Sequence, residues 1–168
     1  MRGYYDILEK LRTTLEAEPS INTVTEGDLS EVDLNKQTIF PLSHIIVNNT
    51  TFQPHSMTFN LNILFMDVVD FNKGDARGIS ATDQPSRGNT NEQDVLNTML
   101  ATSNKLYSLL SRGSLYDEKF QIEGTPTCEP FVDRFENSLA GWDMSIAITM
   151  PKNLEKALND FGKYVVQQ

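Results

Sequence analysis

His44 and His55 are the only histidines and Cys128 the only cysteine in this chain of 168 residues. The stock of side chains that ligate metals or titrate near neutral pH is therefore small. Neither histidine has a carboxylate or a second histidine three or four residues away, the spacing that brings two ligands to one side of a helix. His44 falls on an otherwise apolar strand face, which predicts a hydrogen-bonded core or interface histidine. Asp67 and Asp70, in MDVVD, are the nearest thing to a metal pair. Three residues apart on a strand they point to opposite faces and would converge only through a bulge. Asp70 is better read as the end of the strand. One cysteine leaves no internal disulfide and no cysteine-based zinc site, and Cys128 reads as a small half-buried residue. KGDARG and SRGNT carry glycine and positive charge, but neither bridges a strand to a helix as a phosphate loop must. No Walker loop, GxSxG elbow or dinucleotide fingerprint is present. Aromatics interleaved with basic residues are also missing, which argues against a single-strand binding platform. The expectation is a non-enzyme with no metal and no cofactor. The competing one is a small ligand- or metal-binding domain or enzyme with a pocket near His44, Asp67 and Asp70.

The elements that would have to position such residues begin with residues 56–70, SMTFNLNILFMDVVD. Met57, Phe59, Leu61, Ile63 and Phe65 occupy alternate positions, with Thr58, Asn60 and Asn62 between them. A period of two is the signature of a strand. From Leu64 to Val69 apolar residues occur on both sides, so the strand enters the interior there. At about 3.3 Å per residue it spans roughly 40 Å, long for a strand.

Upstream, residues 3–17 predict a helix whose stripe is Tyr4, Ile7, Leu8, Leu11 and Leu15, closed by Pro19. Residues 21–25 are a short strand candidate. Residues 26–36 are acidic and polar, with Leu29, Val32 and Leu34 as their apolar points, and read as a loop or hairpin tip. In the next strand, residues 39–48, Phe40, Leu42, His44 and Ile46 share one side, with Ile45 and Val47 on the other. Pro41 has no backbone donor, so the strand starts there or lies at an edge. Residues 48–51, Asn-Asn-Thr-Thr, are turn chemistry, making a hairpin with residues 56–70.

Residues 71–91 are polar and glycine-rich, with Ile79 as the single large apolar residue after Phe71. They bury too little to order themselves, and loops of this length are linkers or contact segments. Arg77 and Arg87 are their natural anchors. Residues 90–112 predict a helix with Thr90 and Gln93 as a capping box. Val95, Leu96, Met99, Leu100, Leu106, Tyr107, Leu109 and Leu110 form its broad apolar face, and Gly113 a left-handed cap. It should lie on the Met57–Phe65 face. Residues 119–123 and 127–136 predict two strands, with Phe131 and Phe135 on one side, and residues 137–141 a turn. In residues 142–150, Trp142, Met144, Ile146 and Ile148 alternate with Asp143, Ser145, Ala147 and Thr149 as a second hairpin arm. After Pro151, the residues Leu154, Ala157, Leu158, Phe161 and Val165 predict an amphipathic C-terminal helix. The fold class is α+β: one domain over residues 1–151, a mixed, mainly antiparallel sheet with helices packed on one face, and a helical extension over 152–168.

The totals limit the partners. Net charge is −9, from 23 acidic against 14 basic residues, and 39% of the chain is hydrophobic. Mean hydropathy is −0.37. No apolar run approaches the roughly 20 residues of a membrane span, and the N-terminus lacks the apolar core of a signal peptide. A chain made in the cytosol is expected. The acidic balance argues against a phosphate-gripping surface and suits one that nucleic acid slides past without sticking.

Three stretches together carry a family resemblance. They are DLSEVDLNKQTIFPLSHIIVNN, MTFNLNILFMDVVD, and NEQDVLNTMLATSNKLYSLL running on to CEPFVDRFENSLAGWDMSIAITMP. The chain resembles the small neck and tail proteins of tailed bacteriophages, in particular the tail-terminator or tail-completion type. The element order is similar to the lambda-type tail-terminator fold. The resemblance covers residues 1–151. It implies a structural virion protein, made in the host bacterial cytoplasm, that forms a ring, commonly a hexamer, at the head–tail junction. Such a ring caps the tail tube, joins it to the neck connector or stopper, and lets DNA pass through its lumen. Adaptor and stopper rings are the alternatives. It makes the polar 71–91 loop and the acidic 26–36 segment candidates for subunit or tube contacts, through Asp28, Glu31, Asp33, Lys36, Lys73, Arg77 and Arg87.

Overall fold

Strand β3, Ser56–Val68, runs through the middle of a five-stranded sheet, and the other elements arrange around it. The structure is a computed structural model and describes residues 3–69, 91–134 and 138–152. In chain order, α1 is Gly3–Glu16, β1 Thr23–Glu26 and β2 Leu42–Phe52. After β3 come α2, Glu92–Arg112, and a single turn α3, Ser114–Asp117. Then follow β4, Gln121–Arg134, and β5, Leu139–Pro151. The sheet order is β1-β2-β3-β5-β4. β1 runs parallel to β2, and every other pairing is antiparallel. The class is α+β, as the element pattern predicts.

The alternation in β3 divides the core as expected. Met57, Phe59, Leu61, Ile63 and Phe65 are all buried on the helix-bearing face. They meet Ile7, Leu11 and Leu15 of α1, Met99, Leu106 and Leu110 of α2, and Met144, Ile146 and Ile148 of β5. Each such side chain contributes about 1.5–3 kcal/mol by leaving water. Leu64 and Met66 point to the other face and join Leu42, Phe131 and Leu139 in a second, smaller cluster. In β2 the two sides also separate as the sequence indicates, with Ile45 and Val47 in the first cluster and Leu42 and Ile46 in the second.

Several expectations are corrected. Residues 48–51 are not the hairpin turn. The β2–β3 ladder continues to Phe52↔Met57 with a bulge at Asn48, and the reversal lies at residues 53–55. The strand predicted from residue 39 starts at Leu42, after Pro41. The two strands predicted over 119–136 are one strand, β4, with its irregularity at 124–126. Gly124 there has φ +74. Gly141 is not a turn glycine. It sits inside β5 opposite Met66, where a Cβ would stand 1.9 Å from the Phe65 carbonyl oxygen.

Gly113 does not adopt the left-handed cap either, its φ and ψ being −109 and −157. It is needed for space, since a Cβ would lie 2.7 Å from Leu109 Cα. Asn91, not Thr90, occupies the N-cap position of α2. Tyr4 is half exposed rather than part of the α1 stripe, and Leu100 and Tyr107 stand at the flank of α2 while Thr102 and Ser103 are buried.

The largest revision concerns residues 28–40. They form a strap with 3-10 turns at Leu29–Glu31 and Gln37–Ile39. Leu29, Val32, Leu34, Ile39 and Phe40 pack against the second cluster. The strap therefore covers the end of the sheet face that would otherwise expose Leu42, Leu64 and Met66. The 71–90 loop and the predicted helix after Lys152 lie outside the described residues.

Candidate functional site

Beyond the strap the second sheet face is open and polar. Register places Asn49 and Thr51 of β2 beside Asn60 and Thr58 of β3, then Ala147 and Thr149 of β5, then Glu123 and Gln121 of β4. One step along, Asn62 meets Ser145 and Thr127, and Asp143 faces Glu129. These side chains form ladders across the strands. Asn60 donates to Asn49 Oδ1 at 2.6 Å. Asn48 donates to Asn62 Oδ1, and Asn62 Nδ2 donates to Asp143 Oδ1 at 2.7 Å and Ser145 Oγ at 3.1 Å. Thr58 and Thr149 both donate to Glu123 Oε2, at 2.6 and 2.9 Å. The hydrogen bond from Thr58, then that from Thr149, holds the Glu123 carboxyl below its usual range.

Glu123, Glu129 and Asp143 are the charged residues of this row, and no lysine or arginine occurs among its described members. Like charges opposite one another on paired strands cost stability. The Asp143–Glu129 pairing is kept despite that cost, and the amide of Asn62 offsets part of it.

His44 is on the same face but under the strap, fully buried. Its Nε2 lies 3.0 Å from the Gly27 carbonyl oxygen, which can only accept, so Nε2 carries the proton. Nδ1 then accepts from the Thr25 hydroxyl at 2.7 Å. Burial pushes the imidazole below its ordinary pKa. This is the hydrogen-bonded core histidine that the strand pattern predicts.

Asp67 belongs to the opposite, helix-bearing face, so the sheet stands between it and His44. Burial raises the Asp67 carboxyl, and its Oδ1 accepts from the Val68 amide at 2.8 Å. Among the described residues no group of three or more His, Cys, Asp or Glu could hold a metal. Asp70 lies outside them.

The strap brings four of the predicted contact residues together at its outer side. Asp28, Glu31, Asp33 and Lys36 are all exposed while their apolar neighbours point inward. Asp28 Oδ1 accepts from the Ser30 amide at 2.9 Å, which holds its pKa down, and Asp33 Oδ1 accepts from the Asn35 amide at 3.2 Å. Lys73, Arg77 and Arg87 fall outside the described residues.

A groove of about 390 Å³ between α2 and β4 was not legible in advance. Leu100, Tyr107, Pro126, Cys128 and Met144 line it. Burial raises the Cys128 thiol, which lies 3.9 Å from Ser103 Oγ. The available signal was the width of the α2 apolar set, which exceeds what one core-facing stripe can bury.

No protein-family model matches the chain, and no curated protein matches it. Among the described residues no helix is long and apolar enough to cross a membrane.

Proposed function

We propose that this is a structural virion protein of a tailed bacteriophage. On this reading it forms a ring, a hexamer, at the head–tail junction, where it terminates the tail tube and joins it to the neck connector while DNA passes through. The observation that carries the reading is the open polar row from Asn49 and Thr51 of β2 across to Gln121, Glu123, Thr127 and Glu129 of β4, in which Glu123, Glu129 and Asp143 are the charged residues and no position is lysine or arginine. A DNA duplex presents a dense row of phosphates that binds wherever lysine and arginine cluster. A face of amides, hydroxyls and carboxylates instead leaves it free to slide, and the net charge of −9 acts in the same direction. The resemblance of the three stretches named above supplies the particle and the position.

Edge strand β4 carries Pro126 and Pro130, which lack backbone donors. Prolines on an edge discourage a neighbouring chain from extending the sheet there. Ring contacts on this reading fall to loops and the strap, with Asp28, Glu31, Asp33 and Lys36 available to a neighbour or to the tube.

The test is light scattering of the purified full-length chain together with negative-stain images of it and of virions. Closed rings in solution and copies at the tube end of the neck are expected. A monomer at every concentration, with no copies in the particle, overturns the proposal. Copies on the portal side would make the protein an adaptor or stopper ring instead.

A further inference from the structure

Both ring nitrogens of His44 are engaged by the short stretch of chain from which the strap hangs. Nε2 donates to the Gly27 carbonyl at 3.0 Å, and Nδ1 accepts from the Thr25 hydroxyl at 2.7 Å. Thr25 lies in β1, an edge strand of four residues paired to β2 alone. Gly27 follows with φ +100, a left-handed conformation open to glycine, and there the chain turns out of the sheet into the strap. His44 itself is fully buried. The ring therefore ties the root of the strap to β2 from beneath.

The strap is otherwise lightly held. Its backbone bonds close local turns, Glu31 onto Asp28, Val32 onto Leu29, Lys36 onto Asp33 and Ile39 onto Lys36. Near its far end Asn22 Nδ2 donates to the Thr38 carbonyl at 2.7 Å. Between these points it meets the sheet through Leu29, Val32 and Leu34, each only half-buried. A segment with few buried contacts and locally closed bonds opens more readily than the strands beneath it.

The closed strap suits one protonation state of the ring. With a second proton both nitrogens become donors. The Gly27 carbonyl still accepts from Nε2, but the Thr25 oxygen must then accept too, and its own proton must find another partner. The charge would also sit out of water. The groups facing the ring do not offset this. Leu64 lies opposite on β3, and Leu42 and Ile46 flank it on β2. Glu26 is on the other face with Ile45 and meets Arg12 at 3.7 Å. The strap contributes Asp28, whose attraction for a charged ring is weaker than the penalty of burial. Lifting the strap gives the ring water and removes the constraint on Thr25.

We propose that His44 is a pH-sensitive latch, whose protonation releases residues 28–40 and uncovers Leu42, Leu64 and Met66 while β2, β3 and β5 stay paired. The inference does not depend on the ring reading.

Hydrogen–deuterium exchange of the full-length chain between pH 5 and 8, corrected for the intrinsic pH dependence of amide exchange, tests it. Peptides covering residues 28–40 are expected to be at least a hundredfold less protected than those from β3 at every pH. Their protection should also fall by up to about tenfold per pH unit below about 6.5, the slope of one proton taken up on opening. In His44→Gln the side-chain amide can still donate to Gly27 but does not titrate, so strap protection should not change with pH. Equal protection of strap and β3 overturns the proposal, because the strap would then open only with the whole domain. Strap protection that ignores pH overturns it as well, as does a pH dependence that His44→Gln retains. The first two readings come from the unsubstituted chain, so the test stands even if the variant does not fold.

Discussion

Asn62 and Asp143 are joined at 2.7 Å across β3 and β5, with the same amide reaching Ser145, the residue directly opposite Asn62 in the ladder. The link lies in the open part of the sheet, so water can satisfy every group in it. Its consequence is electrostatic rather than structural. An uncharged donor holds the Asp143 carboxylate in place without neutralising its charge. If passing DNA must not stick here, adding cations should create stickiness. Asn60→Lys with Ser145→Lys is expected to give salt-sensitive DNA retention in a gel-shift assay at low ionic strength, where the unsubstituted protein gives none. Equal behaviour of the two would remove the argument from charge.

Phe59 and Asn60 are consecutive but face opposite ways, and the same substitution should separate them. Phe59 is 3% exposed between α1, α2 and β5. An aspartate there buries an unpaired carboxylate among apolar groups, a cost of several kcal/mol against a total stability of about 5–15 kcal/mol. Phe59→Asp should abolish the cooperative melt. Asn60→Asp on the open face should leave the circular dichroism spectrum and the melting transition nearly unchanged.

Gly141 is predicted to tolerate nothing larger. With a Cβ 1.9 Å from the Phe65 carbonyl oxygen and 2.9 Å from Met66 Cα, the obstacle is backbone in the adjoining strand. β3 and β5 would have to separate, breaking ladder bonds at the centre of the sheet. Gly141→Ala should cost about 3 kcal/mol, the upper part of the usual range for overpacking. Denaturant titration measures it, and a loss near zero would show that the strands can move apart freely.

The alternation in β3 and β5 was legible because a half-buried strand prints its two faces directly on the sequence. Gly141 was not, because glycine marks turns and close approaches alike, and only the partner strand tells which. Asn48 and Asn49 misled for a related reason. Their turn preference is local, whereas the ladder to Asn60 and Asn62 is a long-range gain that absorbs Asn48 as a bulge. Leu29, Val32 and Leu34 follow no helical or strand period, so nothing in the strap announced that it closes a second cluster. His44 was placed correctly, but its partners Thr25 and Gly27 come from the strand that adds in parallel beside it. No spacing rule finds those.

Protonation of His44 should work against folding. Its pKa in the folded chain lies below the unfolded value of 6.5 because burial disfavours the charged ring. Above that pH both states are neutral and the group adds no pH dependence. As pH falls from about 6.5 toward the folded pKa, the unfolded chain gains a proton that the folded one does not. Stability then declines by up to about 1.4 kcal/mol per pH unit. His44→Leu should remove this decline. It should also lower stability near neutral pH by about 1–3 kcal/mol, since the Gly27 carbonyl and Thr25 hydroxyl lose their partner. Denaturation midpoints between pH 5 and 8 for both proteins check the sign and the window.

Asp67 titrates in the other sense. Burial raises its folded pKa above the unfolded value of 3.8, so the unfolded chain gives up its proton first as pH rises. The cost of ionising Asp67 in its place is therefore nil at low pH and fully present above the folded pKa. Asparagine at this position keeps an oxygen for the Val68 amide, which Asp67 accepts at 2.8 Å, and carries no charge. Asp67→Asn is thus expected to raise the melting temperature at pH 7, with the gain shrinking to nothing as the pH approaches 4. A variant less stable than its parent at pH 7 would mean that the carboxylate is held by a cation there. Metal addition to the unsubstituted protein would then raise its melting temperature, and the variant would not respond.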